Sequence, residues 1–130
     1  RCSNRKGIGM ISRKAFIDKV NQEGFSFNIQ IPWWRFNNCK SLVRRKRLSE
    51  EQLYQLFLSL CREIEGRRMQ GLEDERKYQT GFYVAACNGR EFRFEFVFKK
   101  NQQLRVYNLF ETVNGRKKLT LMDLLDYIMD

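Results

Sequence analysis

The sequence predicts an α+β domain: an antiparallel meander sheet of three to four strands packed against a long helix, with an N-terminal helix-strand unit and a C-terminal helix. Three observations carry this. Behind a capping signal, Leu53, Leu56, Phe57, Leu60, Cys61 and Ile64 form one apolar stripe at helical spacing. Residues 90–99 alternate with period two, setting Phe92, Phe94, Phe96 and Phe98 against Glu91, Arg93, Glu95, Val97 and Lys99. Asn88-Gly89, just before them, suits a type I′ hairpin turn because both of its positions need positive φ.

The elements follow in order. Residues 1–10 read as a basic, glycine-containing tail and 11–130 as a single domain, basic over 11–48 and neutral over 49–130. Ser12 is placed to cap a helix over about 13–22, where Phe16, Ile17 and Val20 share a face and Gly24 closes the end. Residues 25–31 alternate as a strand that turns Phe25, Phe27, Ile29 and Ile31 inward, and Pro32 ends it. A turn and a short helix over roughly 38–47 come next. Ser49 then opens the long helix with a capping box, because Gln52 sits three residues on and can return a hydrogen bond; Gly66 or Gly71 stops it. After the charged connector 73–77, strands 82–87 and 90–99 pair so that Cys87 faces Arg90, Val84 faces Arg93 and Tyr83 faces Phe94. A third strand over 104–113 carries Arg105 and Tyr107 on one side. A second pair, Asn114-Gly115, starts another hairpin that opposes Glu111 to Lys118. Thr120 caps a final helix with Leu121, Leu124, Leu125 and Ile128 inward.

Composition narrows the function. The chain has 130 residues, enough for a core without disulfide staples, and its 11 phenylalanines make that core aromatic-rich. Because the first residue is Arg1, a piece of a longer chain or a processed product is expected, with Met10 a candidate start. No apolar run approaches the roughly 18 residues that read as a membrane span. The four cysteines form no Cys-x-x-Cys pair and there is no histidine, so neither a metal site nor a cofactor is expected. Cys61 falls on the apolar stripe of the long helix and Cys87 ends a predicted strand, and the cysteines read as free thiols of a reducing, intracellular compartment. The net charge of +10 lies wholly in the N-terminal third: residues 1–48 hold 12 lysines and arginines against two acids, and the remainder is balanced. Such asymmetry is the mark of a surface that meets a polyanion.

At the centre of that third, residues 32–47 hold both tryptophans, the only proline and the run Arg44-Arg45-Lys46-Arg47. Aromatic faces stack on unpaired bases and cations neutralise phosphates, so the pattern points to nucleic acid, with RNA or single strands preferred. The candidate binding residues are Arg13, Lys14, Lys19, Trp33, Trp34, Arg35, Phe36, Lys40, Arg44, Arg45, Lys46 and Arg47. The competing reading buries Trp33, Trp34 and Phe36 as core anchors and leaves the cations as a solvated helix end. A third reading docks the aromatic stretch on an acidic protein partner. The basic run also fits a short nuclear-import signal.

A second cluster lies on the sheet. Arg93, Glu95, Lys99, Arg105 and Tyr107 share the polar face if the strands pair as drawn. A ribonuclease without histidine would use such groups, a carboxylate, tyrosine or lysine moving the proton and arginines holding the developing phosphorane charge. Segments Phe82-Tyr83-Val84-Ala85-Ala86 and Arg93-Phe94-Glu95-Phe96, with helices before a meander, resemble the middle strands of the RelE-like ribonuclease toxins over about residues 50–113. That resemblance implies a metal-independent ribonuclease. Those toxins commonly carry basic residues on the strand before the hairpin, and strand 82–87 carries none. Ordinary pairing of Glu91 or Glu95 with Arg105 is the simpler explanation of the cluster.

Other chemistries fall away. Without histidine there is no Ser-His or Cys-His pair, and Gly7-Ile8-Gly9 follows no strand that would make it a phosphate loop. The helix, three strands and helix are also similar to the restriction-endonuclease core, but Val97 and Arg93 stand where its metal site needs lysine. The leading expectation is therefore a nucleic-acid-binding domain rather than an enzyme.

Overall fold

The computed structural model describes residues 10–71, 78–99 and 102–118. It is α+β, three helices against a mostly antiparallel sheet of five strands. Helix α1 spans Arg13–Asn21; Ser12 caps it by accepting from the Ala15 amide at 3.1 Å. Gly24 closes the segment at φ +90°, a conformation that costs a residue without Cβ little. Strand β1 is only Asn28–Gln30, shorter than the alternation over 25–31 suggests. Phe27, Ile29 and Ile31 are buried nonetheless, while Phe25 only rests against the core.

Helix α2, Trp33–Arg44, corrects the predicted boundaries of 38–47. The expected turn at the tryptophans is already helix. Pro32 is the N-cap, its φ of −58° suits a helix entry, and its carbonyl accepts from the Phe36 amide at 2.9 Å. The helix ends at Arg44 with Arg45 as its C-cap, and the next residue, Lys46, sits at φ 59°. There the Arg47 amide reaches the Leu42 carbonyl and the Lys46 amide that of Val43, both at 3.0 Å, a Schellman ending with lysine in the usual glycine position.

Helix α3, Glu50–Gly71, starts with the predicted capping box. The Gln52 amide donates to Ser49 Oγ at 3.1 Å and Gln52 Oε1 accepts from the Ser49 amide at 2.8 Å. It runs through Gly66. The whole predicted stripe from Leu53 to Ile64 is buried.

Strands β2 (Tyr78–Cys87), β3 (Arg90–Lys99) and β4 (Gln103–Val113) form the meander, and β5 (Arg116–Lys117) folds back on the end of β4. The β2–β3 register pairs Cys87 with Arg90, Val84 with Arg93 and Tyr83 with Phe94, as the Asn-Gly turn predicts. Asn88 and Gly89 both have positive φ, and so do Asn114 and Gly115. The Lys118 amide donates to the Glu111 carbonyl at 2.8 Å, so the second hairpin opposes those two residues.

Two features were not predicted. Strand β1 pairs with the start of β4 in parallel, Gln30 beside Arg105, which makes the sheet mixed with order β1-β4-β3-β2. And β4 bulges opposite Glu95 and Phe96, whose partners are Asn108 and Val106. Tyr107 is the extra residue, and it resets the alternation along β4. Leu104 and Val106 face the helices before it, Leu109 and Glu111 after it. A carboxylate that strict alternation places outside is thereby turned onto the phenylalanine face.

The helices pack on that face. Phe16 lies against Phe36 (centroids 5.4 Å apart) and Phe57 (5.2 Å), and Phe57 against Phe94 (5.0 Å), so one aromatic chain ties α1, α2, α3 and the sheet. Gly81 admits the Phe96 ring to where a Cβ would lie 2.8 Å from it. No described helix is long and apolar enough to cross a membrane. The tail before Met10, the connector 73–77 and the predicted helix after Thr120 lie outside the described residues.

Candidate nucleic-acid interface

Helix α2 divides its residues cleanly. Phe36, Cys39 and Leu42 point into the core, each at most 3% exposed. Phe36 is thus a core anchor, not a stacking platform. The opposite face runs Trp33, Asn37, Ser41 and Arg44 at i, i+4, i+8 and i+11, with Trp34, Asn38 and Arg45 alongside. Trp33 is 64% exposed and Trp34 48%, their rings edge to face at 5.8 Å. From Trp33 to Arg44 this face is about 16 Å long at 1.5 Å per residue. The chain carries no acid between Glu23 and Glu50, so the whole helix lacks a carboxylate.

The remaining binding candidates separate by their partners. Lys14 pairs with Asp18 at 2.9 Å, and that bond and its charge raise the ammonium's pKa. Lys19 lies over the Tyr54 ring, 4.1 Å from its centroid. Arg47 turns inward and approaches Glu111 at 3.3 Å. Arg45 donates to Ser41 Oγ at 3.3 Å. Among the described residues Arg35, Lys40, Arg44, Arg45 and Lys46 have no carboxylate partner. Cations near a helix C-terminus complement its dipole, which accounts for Arg44 and Arg45 as part of a fold; it does not account for their isolation from acids. Lys40, Arg44 and Lys46 further line a groove of about 780 Å³ between α2, the start of α3 and the hairpin tip at Asn88, with Glu50 the one acid among its described lining residues.

At the other end of α2, Arg13 at the start of α1 and Arg105 of β4 share a second cleft. The two line a cleft of about 260 Å³ with Gln30, Ile31, Pro32 and Gln103. Arg13 is braced there by donating Nη1 to the Ile31 carbonyl at 2.9 Å. Sequence reasoning assigned these two arginines to separate sites. Only the parallel pairing of β1 with β4, a contact between segments far apart in the chain, brings them together.

Four of the five candidates on the sheet fall into two pairs, and Tyr107 stands apart. Arg93 Nε is 3.2 Å from Glu95 Oε2, and its guanidinium lies over the Phe82 ring at 4.1 Å. Glu95 also accepts from Asn108 at 3.1 Å. Lys99 and Arg105 sit one register step away, Lys99 beside Gln103 and Arg105 beside Val97. Tyr107 is the bulged residue. Neither acid pairs with Arg105: Glu91 instead accepts from Thr112 Oγ1 at 2.8 Å.

Two further groups bear on chemistry. Glu111, 7% exposed, is ringed by Arg47, Arg90 at 3.6 Å and Lys118 at 3.7 Å. The Asn114-Gly115 hairpin already sets Glu111 opposite Lys118 in the sequence; its turn inward comes from the bulge, which has no local signature here. Burial pushes the Cys39 and Cys61 thiols up to about 12, which keeps both protonated and unreactive at neutral pH. Among the described residues no cluster of cysteine, aspartate or glutamate could hold a metal ion.

Comparison with family models, with curated proteins and with solved structures returns no match for this chain. The reading of its surface therefore rests on the residues themselves.

Proposed function

We propose that this domain binds nucleic acid, in single-stranded form, through the solvent face of α2. The observation that carries the reading is the pair of exposed indoles on the same helix face as Arg44 and Arg45, with no carboxylate on that helix. Exposed tryptophans cost solvation, and stacking on a base returns about 1–3 kcal/mol for each. Unpaired cations gain by releasing counterions from phosphates. Asn37, Asn38 and Ser41, between the two ends, supply amides and a hydroxyl for base edges or sugars. A paired duplex offers its phosphates but not its base faces, which is why single strands are favoured.

Binding of labelled single-stranded RNA, a DNA duplex and heparin, each titrated against salt, tests this. The wild type is expected to prefer the single strand. Arg44→Ala/Arg45→Ala is expected to lower the slope of log K against log[salt] by about 1.4, near 0.7 for each lost phosphate contact on a single strand. Its unfolding midpoint should fall only slightly, because both side chains are exposed and give up no more than their weak interaction with the helix dipole. A wild type that binds none of the three at low salt overturns the proposal.

A further inference from the structure

We infer that the cleft between Arg13 and Arg105 is a phosphate subsite, occupied by an internal phosphodiester of the strand held on α2. This deepens the reading above and rests on it. Both arginines line one cleft, and its other described lining residues are Gln30, Ile31, Pro32 and Gln103. None is an acid. Two like charges on the walls of one small space repel each other, and an anion between them turns that repulsion into two attractions. Arg105 has no ion pair among the described residues, and Arg13 spends one N–H on the Ile31 carbonyl, leaving the rest of its fork for a ligand. The guanidinium fork matches the oxygens of a phosphate, and the amides of Gln30 and Gln103 are further donors.

The register holds the arrangement. Gln30 pairs with Arg105 and Asn28 with Gln103 in the parallel ladder, while Ile29 and Leu104 between them are buried. Period-two alternation therefore sends Gln30, Gln103 and Arg105 to one side together. Lys99, beside Gln103 on β3, is a diagonal neighbour of Arg105 and adds positive charge to that side. Pro32 lines the cleft and Trp33 is the next residue, so the cleft adjoins the start of α2, and a strand that leaves the indoles reaches Arg105 by turning over the sheet edge at β1. The binding surface thus continues from the basic N-terminal third onto the electrically balanced half of the chain.

Arg105→Gln tests the subsite, with a dodecathymidylate as probe and salt as variable. It is expected to weaken binding several-fold and to lower the salt slope by about 0.7, with the urea unfolding midpoint unchanged. Arg105→Lys is expected to restore the slope and only part of the affinity, because an ammonium lacks the fork. The loss should be the same for 5′-hydroxyl and 5′-phosphorylated oligonucleotides. A loss seen only with the 5′-phosphate overturns the internal assignment in favour of a terminal phosphate. Unchanged affinity and slope in Arg105→Gln, while Arg44→Ala/Arg45→Ala lowers both, overturns the cleft and leaves the α2 reading standing. A wild type that binds no single strand overturns both.

Discussion

Phe16→Ala is expected to lower the unfolding free energy by about 3–5 kcal/mol, the range for removing a fully buried phenylalanine from a core that cannot collapse around the gap. Phe16 is 0% exposed and touches three aromatic rings, those of Phe36, Tyr54 and Phe57. These come from α2 and α3, so the cavity opens where three helices meet and none can move in without losing contacts elsewhere. A domain of this size is stable by about 5–15 kcal/mol, so the loss is a large share of the total. The binding face is affected through Phe36, which seats α2. Urea denaturation of the variant measures the effect; a change below about 1 kcal/mol would mean the helices are not joined at this residue.

Glu111→Gln is expected to destabilise the domain by about 2–3 kcal/mol while leaving strand binding intact or slightly stronger. The amide keeps the volume and removes the charge. Arg47, Arg90 and Lys118 then remain gathered without their counter-charge, and breaking a buried ionic group in this way costs about 3–5 kcal/mol. The three cations are between 24% and 34% exposed at the side chain, so water relieves part of that cost and the lower figure applies. The substitution raises the net charge by one, on the side of the molecule where Arg47 borders the basic face. Urea denaturation and a salt titration on the same protein separate the two effects. Loss of binding at full stability would place Glu111 in the interface instead of beneath it.

The sequence was informative where the decisive interactions are local. The capping box at Ser49 and Gln52, the Asn88-Gly89 turn with its register, and the phenylalanine face of β3 each depend on residues a few positions apart. What it did not disclose is non-local. The parallel pairing of Gln30 with Arg105 joins segments separated by most of the chain. The bulge at Tyr107 arises from how two strands fit, and it carries Glu111 inward against the alternation of its own strand. The start of α2 was missed for a different reason. Adjacent tryptophans after a proline suggest a turn, yet Pro32 is preorganised as a helix entry, and the stripe of Phe36, Cys39 and Leu42 holds the helix to the core. At the candidate site, the basic and aromatic composition was legible and the direction of each side chain was not. Phe36 belongs to the core, Arg47 to Glu111, and Arg105 joins Arg13.

The chain has two tryptophans, both on the proposed interface, so its tryptophan emission, excited beyond the tyrosine absorption, reports that surface alone. Titration of the wild-type protein at low salt with a single-stranded oligonucleotide is the most direct measurement. Stacking of bases on Trp33 and Trp34 predicts saturable quenching, reversed by added salt and much weaker with a duplex of the same sequence. Emission that stays unchanged while the strand is shown to be bound by an independent label would contradict the account, because the strand would then lie elsewhere on the protein.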